Sequence, residues 1–354
     1  MKKTIAINGQ FTTRRLTGME RFSYDLTLAL DKIADDTALD MTLVVPKNAV
    51  NVPELHSIKV VRYGKAKGSL WEQIFMAAYC IRHNATSLSM RPIMPVLTPG
   101  VVCIHDILYK SHPEYFTTPY ARLSRLWCCY HYWAAKHFSP LIYTVSNFTK
   151  RELMDIYGIE DKRIVVLGNG WEHFKTVKSD DTLARRHPEW VADKPFFFSL
   201  GSLAPHKNIK WILEVAKKHK QYNFLIGGNA SLKAYGTDFS DADYANVKFI
   251  GYITDEEVKY LMEHCKAFLF PSLYEGFGLP PLEALSVGAE IVVSNAACLP
   301  EIYGDSAHYI DPRDTDVNLD ELLKQPVGPR EKVLEKYNFT RYARLTADTL
   351  EQLP

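Results

Sequence analysis

The chain has 354 residues, 47% apolar and 23% charged, with a net charge of +1. This composition is ordinary for a globular protein, and the near-zero net charge gives no reason to expect nucleic acid as a partner. The length suits two domains better than one.

Short β-branched or aromatic runs alternate with helix-period stretches along the whole chain. In the first half they predict strands at 4–7, 42–45, 58–62, 101–104, 142–145 and 164–167, and helices at 18–33, 70–82, 120–137 and 147–157. In the second half they predict strands at 196–200, 223–226, 248–250, 267–270 and 290–293, and helices near 208–218, 255–265, 281–287 and 319–323. Apolar strands separated by helices are typical of parallel sheets covered on both faces, so we predict an α/β protein with two Rossmann-like, doubly wound domains.

The polar stretch 175–193 shows no periodicity and has the composition of a linker. We therefore predict an N-terminal domain over 1–170, a linker over 171–194 and a C-terminal domain over 195–339. The last segment, 340–354, has the spacing of an amphipathic helix. Sequence alone allows this helix to pack on either domain.

The most informative string is S-L-Y-E-G-F-G-L-P-P-L-E-A-L at 272–285. An apolar strand runs into a loop with two glycines, and this loop opens a helix at Leu279. A helix start carries unpaired N–H groups and a partial positive charge, so it is suited to bind phosphate, and glycine lets a ligand approach the backbone. Glu275 on the loop and Glu283 on the second helical turn can each bind hydroxyl groups. A ligand with two polyhydroxylated ends and a diphosphate between them is a nucleotide sugar.

This string resembles the Glu-x7-Glu signature of the retaining glycosyltransferases of family 4, the glycosyl transferases group 1. Their fold is GT-B, in which two Rossmann-like domains face each other across a cleft. The resemblance implies that the donor sugar is held by Glu275 and the amides of Gly276, Phe277 and Gly278, and that the ribose is held by Glu283. It also implies that the helix at 340–354 crosses back onto the first domain.

A second strand–turn–helix string, at 197–209, places Lys207 at a predicted helix start. It resembles the family pattern Gly-(Arg/Ser)-Leu-x-Pro-x-Lys-(Gly/Asn), whose lysine stabilises the leaving phosphates. The resemblance implies that Ser202 and Lys207 contact the donor. Ser202 and His206 stand where relatives often carry arginine. We therefore expect the leaving group to depend on Lys207, on backbone amides and on an arginine from the first domain.

Two segments of the first domain resemble further family motifs. The strand at 101–104 ends in His105 and Asp106, which match the family's (I/V)HD segment. The resemblance implies that His105 faces the donor sugar, with Asp106 on the acceptor side; a histidine satisfied within the core is the alternative. After the first strand, Gly18 opens a helix and is implied to contact the donor. Arg15 is the candidate for the missing cation, with a solvated loop arginine as the alternative.

No metal or other cofactor is predicted. The strings D-A-D at 241–243 and D-T-D at 314–316 look like the metal-binding DxD motif of a different glycosyltransferase fold. Neither string ends an apolar strand, so we interpret both as turn residues. The six cysteines lack a CxxC spacing and the twelve histidines lack an HExxH pattern, which argues against a zinc site.

The predicted helix at 120–137 is dense in aromatic residues and also contains Arg122, Arg125 and Lys136. Such a helix can lie on an anionic membrane surface, where lipid-linked acceptors reside. However, its apolar residues also mark a stripe at helical spacing: Leu123, Leu126, Tyr130 and Trp133. We interpret this stripe as facing the core.

Taken together, the resemblance implies a metal-independent, same-face transfer of a hexose or deoxyhexose from a nucleoside-diphosphate sugar to a saccharide or lipid-linked acceptor. It favours cell-surface polysaccharide biosynthesis, with GDP-mannose or dTDP-rhamnose as the donor by analogy. Because no stretch approaches the roughly 20 apolar residues of a membrane span or a signal peptide's apolar run, we expect a cytoplasmic protein, with peripheral association at the inner face of the plasma membrane left open. Two alternatives stay open: a catalytically silent GT-B homologue that binds a partner transferase, and a GT-B nucleotide-sugar epimerase or phosphorylase.

Overall fold

The structure is a computed structural model that describes residues 2–16, 18–202, 204–228 and 244–353. The chain forms two compact units. The first is Met1–Gly170 together with Tyr337–Pro354, and the second is Trp171–Lys336. Each unit is built around its own parallel sheet.

The sheet of the first unit contains seven strands, all paired in parallel. They are β1 (Lys3–Asn8), β2 (Leu39–Val45), β3 (Lys59–Arg62), β4 (Thr86–Ser89), β5 (Val101–Cys103), β6 (Ile142–Thr144) and β7 (Ile164–Val166). Their order is β3-β2-β1-β4-β5-β6-β7, so strand order reverses between β1 and β4. In open α/β sheets this reversal is where ligands bind, at the carboxyl ends of the strands.

The helices that pack on this sheet supply two apolar clusters. The helices are α1 (Met19–Asp31), α2 (Gly68–Trp71), α3 (Ala77–His83), α4 (Leu108–Ser111), α5 (Pro119–Phe138) and α6 (Asn147–Tyr157). One turn of π-helix, Glu72–Met76, joins α2 to α3. In one cluster Trp71 and Met76 pack with Ala6 and Val44; in the other, Tyr132 and Leu153 pack with Val102 and Ile142.

The second unit repeats this arrangement with six parallel strands in the described residues. They are β8 (Phe196–Leu200), β9 (Asn223–Gly227), β10 (Val247–Gly251), β11 (Phe268–Phe270), β12 (Ile291–Ser294) and β13 (His308–Ile310). Their order is β10-β9-β8-β11-β12-β13, so the reversal falls between β8 and β11. The core contains large aromatic side chains, among them Phe197, Trp211 and Phe224.

Nine helices of the second unit lie in the described residues. They are α7 (His173–Thr176), α8 (Thr182–Arg186), α9 (Pro188–Val191), α10 (Ile209–Lys218), α11 (Asp255–His264), α12 (Leu279–Ser286), α13 (Leu299–Tyr303), α14 (Leu319–Leu323) and α15 (Glu331–Lys336). The first three occupy the stretch that we expected to be a linker. This stretch differs from a solvated linker because three of its apolar residues, Phe174, Leu183 and Ala184, are buried.

The last helix, α16 (Phe339–Glu351), belongs to the first unit. It packs against α1, where the rings of Phe22 and Phe339 have centroids 6.0 Å apart. The hydroxyl of Tyr143 on β6 lies 2.7 Å from the Thr349 hydroxyl. Leu350, also on this helix, is fully buried.

Our prediction that the apolar stripe of α5 faces the core is wrong. Leu123, Leu126, Tyr130 and Trp133 are exposed, whereas His131, Tyr132, Ala134 and Ala135 form the buried side of α5. This buried side packs on the sheet, and the residues of the predicted stripe point to solvent. No helix in the described parts of the chain is long and apolar enough to cross a membrane.

Replacing Leu350 with alanine tests the docking of α16. The substitution should leave a cavity and lower the free energy of unfolding by about 2–5 kcal/mol. Arg344→Ala, on the exposed side of the same helix, is the matched control and should change it by no more than about 0.5 kcal/mol. Urea-induced unfolding followed by circular dichroism measures both. Equal effects of the two substitutions would contradict the docking.

Candidate functional site

Two loops of the second unit meet where its strand order reverses. One follows β8 and includes 201–202 and 204–208, and the other follows β11 and covers 271–278. The amide of Leu273 donates a 2.7 Å hydrogen bond to the carbonyl oxygen of His206. The Asn208 side chain donates to the carbonyl oxygens of Pro271 and Pro312, at 3.1 and 2.8 Å. The loops are therefore fixed to each other at the ligand-binding edge of the sheet.

Lys207 and Glu275 form an ion pair between these loops. Lys207 Nζ lies 2.6 Å from Glu275 Oε1, and the side chains are 21% and 12% exposed. The ammonium also lies 5.3 Å from the centre of the Phe270 ring, within range of a cation–π contact. Gly276 and Phe277, which follow Glu275, are buried. The structure thus brings together two residues that the sequence predicted as donor contacts, and each charge limits where the other can point.

The turn into α12 depends on Gly278. Its φ is +84°, and a Cβ at this position would lie 2.7 Å from Leu299 Cδ2, so a larger residue would be strained. The Gly278 carbonyl oxygen accepts a hydrogen bond from the Tyr303 hydroxyl. The helix begins Leu279-Pro-Pro, and proline has no N–H. Backbone donors for a phosphate at this end therefore come from Leu279 and from residues before it, not from the whole first turn.

Glu283 has a partner that the sequence analysis missed. Its Oε1 lies 2.9 Å from His173 Nε2, and the side chains are 12% and 7% exposed. The two residues are 110 positions apart, and His173 lies in the stretch that we expected to be a linker. No local pattern connects them, because the contact arises only when α7 packs on α12. This contact orients the carboxylate that we predict to hold the ribose.

Ser202 and the DxD string at 314–316 take part in local hydrogen bonds. Ser202 Oγ accepts a 3.4 Å hydrogen bond from the Ala204 amide. Asp314 Oδ1 accepts one of 2.8 Å from the Asp316 amide, as in an ordinary turn. The other string, at 241–243, lies outside the described residues. Within the described ranges, no group of three or more His, Cys, Asp or Glu side chains is placed to hold a metal ion.

His105 in the first unit is buried and neutral near pH 7. Its Nε2 lies 2.9 Å from the Met90 carbonyl oxygen, so this nitrogen carries the proton and donates. The ring meets Phe22 edge-on, with centroids 4.7 Å apart. Burial, with the positive charge of Arg91 as a smaller cause, lowers the pKa of His105 to about 4. The neutral ring is therefore a poor proton donor near pH 7.

The other first-unit candidates lie on loops near the ends of β1 and β5. Gly18 precedes α1 with φ +50° and ψ −113°, a conformation that favours glycine. Arg15 is exposed on the loop before it. Asp106 Oδ1 accepts a 2.9 Å hydrogen bond from the Leu108 amide at the start of α4. The predicted roles of these residues toward donor and acceptor stay predictions.

A buried polar cluster at the reversal of the first sheet also escaped the sequence analysis. Asn8 Nδ2, at the end of β1, donates to Glu72 Oε1 at 3.3 Å and to Ser89 Oγ at 3.2 Å. Arg91 Nε lies 3.5 Å from Glu20 Oε1. Burial raises the pKa of Glu72, although Arg91 opposes this effect. This cluster could have been found from the sequence because Asn8 and Ser89 end neighbouring strands. However, strand β4, which contains Ser89, was not predicted.

The comparisons with known proteins agree with this geometry. Residues 180–337, which include Lys207, Glu275 and Glu283, match the family model described as glycosyl transferases group 1. The match covers less than half of the chain, and it includes the loops that follow β8 and β11. The two parallel sheets of the chain are those of the GT-B fold.

Two relatives and one solved structure illustrate the similarity. The O-antigen chain mannosyltransferase B of Escherichia coli is 30% identical to this chain over 241 residues, which span 62% of this chain but only 59% of that protein. The O-antigen chain mannosyltransferase RfbU of Salmonella typhimurium is 23% identical over 95% of this chain and 96% of its own length. The structure of Anabaena HepE in complex with UDP-glucose has a TM-score of 0.66 at 16% identity, covering 99% of this chain and all of that one. At this identity the structural likeness concerns the fold alone.

The low pKa of His105 predicts how stability depends on pH. An unfolded imidazole has a pKa of about 6.5, whereas the folded one has a pKa of about 4. Between these values the unfolded chain binds a proton that the folded chain does not. His105 should therefore lower the stability by up to about 1.4 kcal/mol per unit as the pH falls through this window, with no effect above it.

An NMR titration measures this pKa directly. The His105 ring signal, assigned by its loss in His105→Gln, should stay in the neutral form down to about pH 5. A midpoint near 6.5 would contradict the burial of the ring.

Proposed function

We propose that this protein is a retaining mannosyltransferase. It transfers mannose from a nucleoside-diphosphate donor, expected to be GDP-mannose, to a saccharide or lipid-linked acceptor during synthesis of a cell-surface polysaccharide. The sequence leaves hexose and deoxyhexose open, and the two O-antigen mannosyltransferases among its relatives favour mannose. The observation that carries the proposal is the Lys207–Glu275 pair at the strand reversal, beside the glycine turn.

The difficult step is the loss of a diphosphate from a sugar carbon. As the bond between C1 and the phosphate oxygen breaks, negative charge develops on the diphosphate. The Lys207 ammonium has three N–H donors and gives one to Glu275, so the same group can also donate to phosphate oxygens. Donors that are fixed before the reaction stabilise such charge most effectively. The ion pair and the inter-loop hydrogen bond provide that fixation.

The remaining residues position the substrates. Glu275 accepts hydrogen bonds from sugar hydroxyls, and Glu283, oriented by His173, accepts them from the ribose. We infer same-face substitution, in which the acceptor oxygen bonds to C1 on the side from which the diphosphate leaves. The acceptor proton passes to the departing phosphate oxygen, so atoms and charge balance without a protein nucleophile. The neutral ring of His105 suits a position near the positively charged sugar.

Substitution of Lys207 tests this function. Lys207→Met should lower kcat for GDP release from GDP-mannose by about 10²–10³-fold, the usual effect of losing one fixed donor to a transition-state oxyanion. Lys207→Arg should retain more activity because it keeps the charge. Lys210→Met, at an exposed lysine on α10, is the matched control and should leave the rate unchanged.

A thermal-shift panel with GDP, UDP and dTDP accompanies these rates. Wild-type protein at 100 times Kd gains about 2.7 kcal/mol from the matching nucleotide. Wild-type turnover of a different sugar nucleotide would overturn the donor assignment alone. A Lys207→Met rate equal to wild type would overturn the site. Nucleotide binding without turnover of any donor would instead support the catalytically silent alternative.

A further inference from the structure

Helix α5 presents a continuous apolar face to solvent. Leu123, Leu126, Trp127, Tyr130 and Trp133 are 66%, 58%, 37%, 41% and 45% exposed. Their spacing of three and four residues places them on one side of a 20-residue helix. Single exposed apolar residues are normal on a protein surface, but a contiguous set of this size marks an interaction surface. These five residues are called the α5 face below.

The α5 face is built from stacked aromatic rings. The ring centroids of Trp127 and Tyr130 are 5.8 Å apart, and those of Tyr130 and Trp133 are 5.9 Å apart. Phe138 extends the row, with its centroid 5.8 Å from Trp133. Trp and Tyr combine an apolar ring with a polar N–H or O–H group, which suits the boundary between lipid and water.

A groove beside the α5 face continues its apolar surface. The groove has a volume of about 440 Å³ and is lined by Ser69, Leu70, Gln73, Leu123, Ser124 and Trp127. Trp127 Nε1 donates a 3.2 Å hydrogen bond to Ser69 Oγ, which holds α2 beside α5. Leu70 in this groove is 60% exposed. The apolar surface therefore spans two helices.

The charges around this surface are positive. Helix α5 contains no Asp or Glu, and it carries Arg122, Arg125 and Lys136. Across the continuous helical segment from α2 to α3, the one acidic residue is Glu72, which is buried. Arg82 lies on the same segment. The solvent-facing charge of both helices is thus complementary to an anionic partner.

We propose that the α5 face docks on the surface of a bilayer that contains anionic lipids, with the helix lying in the plane of the interface. Apolar and aromatic residues enter the boundary between headgroups and acyl chains, and the three cations of α5 contact lipid phosphates. A second copy of the chain is a poorer occupant, since facing α5 helices would bring three cations from each copy together. This proposal is independent of the proposed sugar transfer.

Sedimentation with vesicles tests the proposal without any sugar substrate. The full chain should bind vesicles of phosphatidylcholine and phosphatidylglycerol, and bind less as salt increases. The apolar variant Leu123→Gln/Leu126→Gln/Trp133→Gln should remove this binding. The charge variant Arg122→Gln/Arg125→Gln/Lys136→Gln should lower the partition coefficient about 100-fold, because each cation near an anionic surface contributes about fivefold.

Control variants change equally exposed residues elsewhere. Val50→Gln/Ile156→Gln matches the apolar variant, and Lys162→Gln/Lys324→Gln tests the loss of surface cations remote in sequence from α5. Both should bind vesicles like wild type. Because all of the changed apolar side chains are exposed, thermal unfolding should show that every variant is folded.

Three results would overturn the proposal. They are wild-type protein that does not sediment with anionic vesicles, binding that survives both α5 variants, and a dimer in analytical ultracentrifugation that the apolar variant dissociates. The last result would assign the α5 face to a second copy instead.

Discussion

The ion pair between Lys207 and Glu275 exists because β8 and β11 are paired in the sheet, although the two residues are 68 positions apart. In a parallel sheet the carboxyl ends of all strands lie at one edge, and at the reversal of strand order the loops leave in opposite directions. A cation from one loop and a carboxylate from the other therefore converge there. The Asn208 amide and the Leu273–His206 hydrogen bond then fix both loops.

The sequence predicted the parts of this site that are local. The glycine turn and the glutamates at 275 and 283 lie within one strand–loop–helix string. The sequence of this one segment therefore shows both the residue types and their order along the chain. The His173 contact with Glu283 could not be predicted, because it depends on the packing of distant helices. Strand β4 (Thr-Ser-Leu-Ser) was missed because three of its four residues are polar; it is buried only because β1 and β5 flank it.

Helix α5 shows why periodicity alone does not identify the buried side. A helical stripe of Leu, Tyr and Trp has the same spacing whether it faces a sheet or solvent. Here the opposite side, with Tyr132, Ala134 and Ala135, fits the first sheet more closely. Ala134 and Ala135 let the helix approach the strands, and the Tyr132 ring fills the core beside them. The Tyr and Trp residues of the α5 face are left exposed. The same helix thus provides both a packed side in the core and the exposed α5 face.

The most direct measurement of the central claim is a crystal structure with a non-transferable fluorinated GDP-mannose. The account predicts Lys207 Nζ within about 3.2 Å of a diphosphate oxygen, Glu275 within the same distance of a sugar hydroxyl, and Glu283, still paired with His173, on the ribose. A diphosphate bound away from the loops after β8 and β11, with Lys207 bonded to Glu275 alone, would contradict it.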